Sequence, residues 1–396
     1  MYNSTPLCNL ANLIDSGSGI YLGFDLTAPS LHWGHYLLLL VLNKASEFGI
    51  QTVLILGDFT TKIGDASWRK EDRNILGEKE IKDNLSGIKE QLQKLCPNSE
   101  IVLNSSFYEE FSIETISELL KHFKLSTLLS KDFLSCRLSQ DSLTLRDVFY
   151  PVLQSYDFYN LVKNKNIAIQ MGGQDQWGNI TTGIEFIKKK ESNLLVGGFT
   201  IPLLTDSNGV KFGKSGKNTL FLNEKLTSPY KVYQYFWNLS DDKLKELSIF
   251  LFNSELNVGE KINQKEKEKI IENLFCGVYS KEKFQVIKKI SSFLFSKEEI
   301  KNNSFTETDY KELFKILPSY QSKELNNISN ILINLGFSSS HSESKRLIEK
   351  ERCVSCFSYY FQNHKEMLKP ELSNSSYFLI KKGEKEFGIF HLSNKN

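Results

Sequence analysis

An α/β fold built on a doubly wound parallel sheet is what the first half of this sequence predicts, and three observations carry the prediction. Short apolar, β-prone runs alternate with amphipathic segments from Ile20 to about Asn218. "QTVLILGDFT" (51–60) is an apolar run flanked by Gly49 and Gly57, as a parallel strand buried on both faces requires. After Pro229 the alternation stops and charged stretches of helical period take over.

Taken in order, Ile20-Tyr21-Leu22-Gly23-Phe24 is a strand ending at Asp25, and Thr27, Pro29 and Ser30 are turn and cap residues. The apolar run from Leu37 to Leu42 meets no breaker until Gly49, so strand, tight turn and helix follow one another. "EIKDNLSGIKEQLQKL" (80–95) is an amphipathic helix ending before Pro97. "EIVLNSS" (100–106) is strand-like and "IETISELLKHF" (113–123) helical, while 164–190 reads strand, Gly-rich turn, then a helix with a basic end. The predicted domains are 1–219, the α/β unit; 220–320, a helical domain; and 325–396, a small α+β domain. The stretch "PSYQSKELN" (318–326) reads as a linker between the last two.

Composition narrows the class. A chain of 396 residues allows roughly two or three domains, and 40% hydrophobic with 24% charged residues is ordinary for a globular protein. No uninterrupted apolar segment approaches the ~18–20 residues of a membrane span. The first residues lack the basic region and apolar core of a secretory signal, and the arginines of a transit peptide. The expected location is the cytoplasm, or an organelle matrix if a transit peptide has been removed. The net charge of +2 announces no polyanion partner, and basic residues exceed acidic ones only mildly after 321. The six cysteines are scattered apart from Cys353-x-x-Cys356, half of a zinc pattern at most, so buried free thiols in a reducing compartment are expected.

Four stretches carry chemistry. In "LTAPSLHWGHYLLLL" (26–40), His32 and His35 fall three apart at the head of a helix, with Gly34 between them to admit another molecule. A helix N-terminus with two imidazoles suits a phosphate; two capping or metal-ligating histidines would look the same. "KFGKS" (211–215) sets Lys211 and Lys214 about a glycine turn with Ser215 behind, either a clamp for outer phosphates or a surface turn. "GGQDQWGNI" (172–180) offers close backbone approach at Gly173 and directed polar groups at Asp175 and Gln176, or simply a tight capped turn. In "YPVLQSYDF" (150–158), Tyr150, Gln154 and Asp157 stand at i, i+4 and i+7 and share one helix face, as a buried network or a binding wall.

In this order, on this framework, the stretches resemble the bacterial-type tyrosyl-tRNA synthetases of class I, across essentially the whole chain. "YLGFDLTAPSLHWGH" is similar to that family's first signature and "KFGKS" to its second; "LQSYDF" and "GGQDQWGN" are similar to its tyrosine-pocket and nucleotide segments. The tail resembles the S4-type RNA-binding module, and "DQWGN" separates the chain from tryptophanyl relatives. The resemblance implies a Rossmann-like catalytic domain, an anticodon-side helical domain and an S4-like domain. It implies tyrosine contacts at Tyr21, Asp65, Tyr150, Gln154, Asp157 and Gln176. ATP and transition-state groups fall on Asp25, Thr27, His32, Gly34, His35, Gly173, Asp175, Lys211, Lys214 and Ser215, with Arg69 and Arg73 on a basic loop. Lys345 and Arg346 are the candidate RNA contacts. ATP carrying Mg2+ with no protein-bound metal, tRNA(Tyr) as partner and a homodimer are implied as well.

Three positions depart from the pattern: Leu26 replaces a usual proline, Trp33 an aliphatic residue, and Ala66-Ser67-Trp68 a usual Pro-Ser-Gly. The third bears on the loop that carries Arg69 and Arg73. The alternatives are a tryptophanyl-type synthetase, a non-synthetase nucleotidyltransferase, or a catalytically inactive RNA-binding relative. The last would be expected to lose His35 or the lysines, and the sequence retains them.

Overall fold

The computed structural model describes residues 2–65, 76–202, 219–252, 261–294, 305–383 and 386–393. The chain forms two compact units, Met1–Asn223 with Ile249–Phe252, and Glu224–Ser248 with Asn253–Asn396.

The first unit is built on five strands: β1 (Gly19–Asp25), β2 (Thr52–Gly57), β3 (Glu100–Leu103), β4 (Ile167–Gly173) and β5 (Gly197–Ile201). They lie in the order β3-β2-β1-β4-β5, all parallel, with Tyr21 opposite Val53 on one side and Gln170 on the other. β2, β4 and β5 are buried along their whole length, as their apolar sequences demand. The helices are α1 (Leu7–Asp15), α2 (Trp33–Glu47), α3 (Glu78–Leu95), α4 (Ile113–Leu120), α5 (Leu125–Leu129), α6 (Asp132–Ser139), α7 (Leu145–Lys165) and α8 (Trp177–Lys190). Between β1 and β4 the strand order reverses, and in an open α/β sheet that crevice at the strands' carboxyl ends is where ligands bind.

α7 starts at a reciprocal cap. Thr144 N–H donates to Asp147 Oδ2 at 2.8 Å, and Asp147 N–H returns to Thr144 Oγ1 at 3.4 Å. The buried Arg137 pairs with the same carboxylate at 3.3 Å, fixing α6 to the start of α7. These anchors set the register of the helix whose polar stripe was predicted to face inward.

The second unit carries helices α9 (Pro229–Trp237), α10 (Asp241–Ser248), α11 (Gln264–Cys276), α12 (Lys281–Leu294) and α13 (Glu307–Ile316), as the charged helical texture predicts. It continues with α14 (Ile328–Asn334), α15 (His341–Lys345) and strands β6 (Ser319–Ser322), β7 (Val354–Cys356), β8 (Tyr359–Tyr360), β9 (Tyr377–Lys382) and β10 (Glu386–Leu392). The sheet order is β6-β10-β9-β7-β8, over a core of Ile331, Leu332, Ile348, Phe361, Phe378 and Phe390. The stretch read as a linker is therefore partly strand: Ser319–Ser322 pairs parallel with β10, and its polar residues suit an edge position. α13 joins the helices to this sheet through Tyr310, stacked on Tyr377 at 5.7 Å, and Tyr377 stacks on His391 at 4.1 Å.

All six cysteines are free, but only Cys96 and Cys356 are buried, while Cys8 and Cys136 are exposed, so the expectation of buried thiols holds for part of the set. No helix among the described residues is long and apolar enough to cross a membrane.

Candidate active site

At the carboxyl ends of β1 and β4, wholly within the first unit, lies a cleft of about 350 Å³. It gathers Tyr21, Asp25, Thr27, His32, Gly34, His35, Asp65, Tyr150, Gln154, Asp157, Gly173, Asp175 and Gln176 around one space. Residues more than a hundred positions apart in the chain thus line one space. Lys211, Lys214, Ser215, Arg69, Arg73 and the Ala66-Ser67-Trp68 departure lie outside the described residues.

One end of the cleft is made by the head of α2. His32 is its N-cap in extended backbone, and the two histidines cap each other. His35 N–H donates to His32 Nδ1 at 3.2 Å, and His32 N–H donates to His35 Nδ1 at 3.4 Å. The rings stack with centroids 3.6 Å apart. An Nδ1 that accepts a hydrogen bond carries no proton, so each neutral ring holds its proton on Nε2. Burial lowers His32 to about 4 and His35 well below the ordinary imidazole value, with the His32 charge adding to the second effect. At neutral pH the pair therefore consists of two uncharged imidazoles with Nε2–H donors, at the positive end of the α2 dipole. That arrangement suits oxygens gaining negative charge and does not suit an acid–base couple working near pH 7.

The turn before these histidines explains two of the departures. Leu26 is fully buried, and its N–H donates to Thr61 Oγ1 at 2.8 Å, a bond that a proline could not make. Trp33 is fully buried against Tyr36, ring centroids 5.3 Å apart, so its bulk goes into the core and away from the cleft.

The opposite end is lined by α7 and β1. Tyr21 is 1% exposed, and its hydroxyl has no hydrogen-bond partner among the described residues. Asp157 is 4% exposed and accepts from Asn104 Nδ2 at 3.0 Å and from Tyr108 Oη at 2.7 Å. Burial pushes the Asp157 carboxyl up to about 7, against the pull of those two donors, and Asp25 and Asp58 add to the rise. Burial first, and Asp157 second, hold the Tyr21 hydroxyl protonated. Gln154 Oε1 and Gln170 Oε1 are also buried with no hydrogen-bond partner among the described residues. A buried polar atom left unpaired costs about 1–3 kcal/mol, so three of them around one cleft mark a site shaped for a polar guest.

Between the ends, side chains are tied to each other. Tyr150 Oη donates to Asp25 Oδ2 at 3.1 Å, and Thr60 Oγ1 donates to Asp25 Oδ1 at 3.2 Å. Gln176 Nε2 donates to Asp65 Oδ2 at 2.8 Å, and Gln154 and Asn179 both donate to Gln176 Oε1, at 3.4 and 3.0 Å. Asp65, Gln154 and Gln176 thus form one chain of amides and carboxylate along the cleft wall.

Sequence reasoning missed Asn104, Tyr108, Thr60, Gln170 and Phe221. Asn104 was absorbed into a strand reading, whereas β3 ends at Leu103 and Asn104 opens a short 3-10 turn that aims its amide at Asp157. Gln170 had a legible signal: it is the one polar side chain in the fully buried run "IAIQMGG" of β4. Phe221 enters through an antiparallel bridge to His32, which nothing in the local sequence announces.

The candidate RNA residues belong to the second unit. The exposed Arg346 pairs with Glu351 at 3.1 Å and with the half-buried Glu343 at 3.9 Å, and the exposed Lys345 with the half-buried Glu349 at 3.9 Å. Among the described residues no group of three or more His, Cys, Asp or Glu side chains is placed to hold a metal ion.

A parallel sheet with a cleft at its switch point, capped by neutral histidines, is the framework of a class I synthetase. The chain belongs to the family described as tRNA synthetases class I (W and Y), whose model matches residues 16–294. The chain is similar to the tyrosine–tRNA ligase of Mycoplasma mobile, 35% identical over 363 residues that cover 87% of this chain and 86% of that one. The tyrosine–tRNA ligase of Ureaplasma parvum is 32% identical over 410 residues, covering 100% of this chain and 94% of its own. Among solved structures, the C-terminally truncated mitochondrial tyrosyl-tRNA synthetase of Aspergillus nidulans shares the fold with a TM-score of 0.65 at 22% identity, over 74% of this chain and 91% of that one.

Proposed function

We infer that this chain is a tyrosine–tRNA ligase, which joins tyrosine to ATP as tyrosyl-adenylate with release of pyrophosphate and then transfers tyrosine to the 3′ end of tRNA(Tyr). The fold alone does not choose the amino acid, because the tryptophanyl-tRNA synthetase of Plasmodium falciparum is also similar, with a TM-score of 0.52 at 16% identity. The observation that carries the choice is the buried pair Tyr21 and Asp157 at the closed end of the cleft. A phenol fits there because its hydroxyl gives Asp157 a donor and Tyr21 a partner. Phenylalanine would leave the Tyr21 hydroxyl unpaired and give the buried Asp157 carboxyl no donor beyond Asn104 and Tyr108, the kind of loss by which tyrosine enzymes as a class reject it about 10⁵-fold without editing.

The mechanism follows from charge. Tyrosine's carboxylate is ionised at neutral pH, so attack on the α-phosphorus needs no general base. The protein aligns the attack and stabilises the negative charge that grows on the phosphoryl oxygens and the leaving pyrophosphate. His32 and His35 are assigned as Nε2–H donors to those oxygens, with Thr27 and Gly34 beside them and Lys211, Lys214 and Ser215 completing the clamp. Asp25, Gly173 and Asp175 are assigned to ATP, with Arg69 and Arg73 on its outer phosphates. Asp65, Tyr150, Gln154 and Gln176 are assigned to the amino and carboxylate groups of tyrosine. Mg2+ would arrive with ATP, held by phosphate oxygens and water as is usual for that ion.

The stretch 220–320 is assigned as the anticodon-side helical domain and 325–396 as the S4-like RNA-binding domain, with Lys345 and Arg346 on its surface. A homodimer is supported by exposed Ile113, Leu120, Leu125, Leu138 and Leu145 on α4–α7, the segment inserted between β3 and β4. A cytoplasmic location fits the bacterial relatives.

Pyrophosphate exchange into ATP, with tyrosine, tryptophan and phenylalanine supplied separately, tests the reading. Exchange with tyrosine alone is the expected result. Exchange with tryptophan would overturn the assignment of Tyr21 and Asp157, and silence with all three in folded protein would overturn the enzyme.

A further inference from the structure

The turn 26–31, between β1 and the histidines, has no secondary structure of its own, so its backbone groups need partners from elsewhere. α3 supplies them along one face. Asn84 Nδ2 donates to Leu26 O at 2.9 Å. Gly87 lets Pro29 O approach so closely that an added Cβ would stand 2.7 Å from it. Gln91 does two things: its Oε1 accepts the Leu31 N–H at 2.8 Å, and its Nε2 donates to Ser30 Oγ at 2.9 Å. Ser30 is buried and its Oγ also accepts the Asn223 N–H at 3.2 Å.

The segment ending at Asn223 is itself stitched to the histidine turn. Leu222 N–H donates to Leu31 O at 2.8 Å, and Trp33 N–H donates to Leu220 O at 3.1 Å. In the chain, 219–223 follows directly on the stretch that carries Lys211 and Lys214, and α3 follows shortly after the stretch that carries Arg69 and Arg73. One amide, Gln91, therefore ties the residue before the His32 cap to α3, and through Ser30 to the foot of the second signature.

We propose that Gln91 is a positioning residue for the phosphate clamp, holding the His32/His35 donors and the chain that leads out of the Lys211/Lys214 segment in one register through Leu31 and Ser30. It touches no substrate, and it acts through the histidines. The claim rests on the functional reading above, because it gives those histidines their work. Small displacements of catalytic donors are costly: misplacement by about 1 Å can lower a rate by about a hundredfold.

The test is a double-mutant cycle in steady-state pyrophosphate exchange, using the full chain, for wild type, Gln91→Ala, His35→Ala and the double variant, with Gln91→Glu as the conservative change. Gln91→Ala is expected to lower kcat about tenfold or more while KM for tyrosine stays within about twofold. In the His35→Ala background the same change is expected to cost clearly less than in the wild type, the remainder being carried by His32 and the 219–223 segment. Gln91→Glu, which keeps an acceptor for the Leu31 N–H, is expected to recover much of the rate. Full persistence of the loss without His35, or a loss confined to KM for tyrosine, would overturn the proposal. Wild-type silence in exchange would sink the functional reading, and the nitrogen NMR spectrum of the His32 and His35 imidazoles then decides the positioning claim by itself. The wild type is expected to show protonated Nε2 and bare Nδ1, and Gln91→Ala to move both residues' resonances; unmoved resonances contradict it. Where Gln91→Ala does not fold, Ser30→Ala carries the same cycle and the same spectrum.

Discussion

The two ends of the cleft solve the problem of buried polar groups in opposite ways. At the α2 end, each histidine ring uses one nitrogen to cap the other's backbone, and burial keeps the capped pair uncharged. At the α7 end, Tyr21, Gln154 and Gln170 keep polar atoms without hydrogen-bond partners among the described residues, and Asp157 sits in an environment that resists its charge. On the proposed function, the first end is preorganised for charge that appears only during reaction, so its value would lie in rate. On the same reading, the second end is completed by a ligand hydroxyl, so its value would lie in discrimination. A site that must both choose and react benefits from keeping these two kinds of strain apart.

If this division holds, changes at the two ends separate kinetically. The largest effect is expected from His35→Ala: kcat for pyrophosphate exchange falls by about 10²–10³, the usual cost of losing one such donor, while the tyrosine-to-phenylalanine preference stays unchanged. A parallel collapse of the preference would break the comparison. Tyr21→Phe is expected to do the reverse and on a smaller scale. Removing one neutral hydrogen bond of about 0.5–1.5 kcal/mol lowers kcat/KM for tyrosine by roughly two- to tenfold, leaves kcat at saturating tyrosine nearly intact, and narrows the preference over phenylalanine.

The smallest effect is a pH dependence. The folded-state value of Asp157, about 7, lies above the ordinary 3.8, so the native protein holds an extra proton between those values. Stability contributed by this group is present at acid pH and is lost as pH rises through about 7. A tyrosine hydroxyl donates best to the ionised form, so preference for tyrosine over phenylalanine is expected to rise several-fold from about pH 6 to about pH 8. With His32 at about 4, saturating kcat stays flat over the same range. A kcat that titrates together with the preference would mean that the two ends are coupled.

The sequence made the framework legible because β1, β2 and β4 are short apolar runs, the last two buried throughout, and because α7 carries its polar stripe at helical spacing. The histidine pair was legible at the head of a helix, yet its mutual capping was not, since reciprocal bonds three residues apart depend on the N-cap conformation of His32. Asn104 and Tyr108 were hidden for a different reason. They come from a turn after β3 and meet α7 only because β3 lies at the far edge of the sheet, a long-range consequence of strand order. The strand at Ser319–Ser322 looked like a linker because an edge strand needs no apolar residues.

The central claim is that the hydroxyl-binding pair at the α7 end selects the amino acid. The measurement that tests it most directly is the ratio of kcat/KM for tyrosine and phenylalanine in pyrophosphate exchange, for the wild type and for Asp157→Asn, which keeps shape and removes the carboxylate. The expected result is strong preference for tyrosine in the wild type, about 10⁴ or more, and a ratio at least about a hundredfold lower in the variant. An unchanged ratio in a folded, active Asp157→Asn protein would contradict the account.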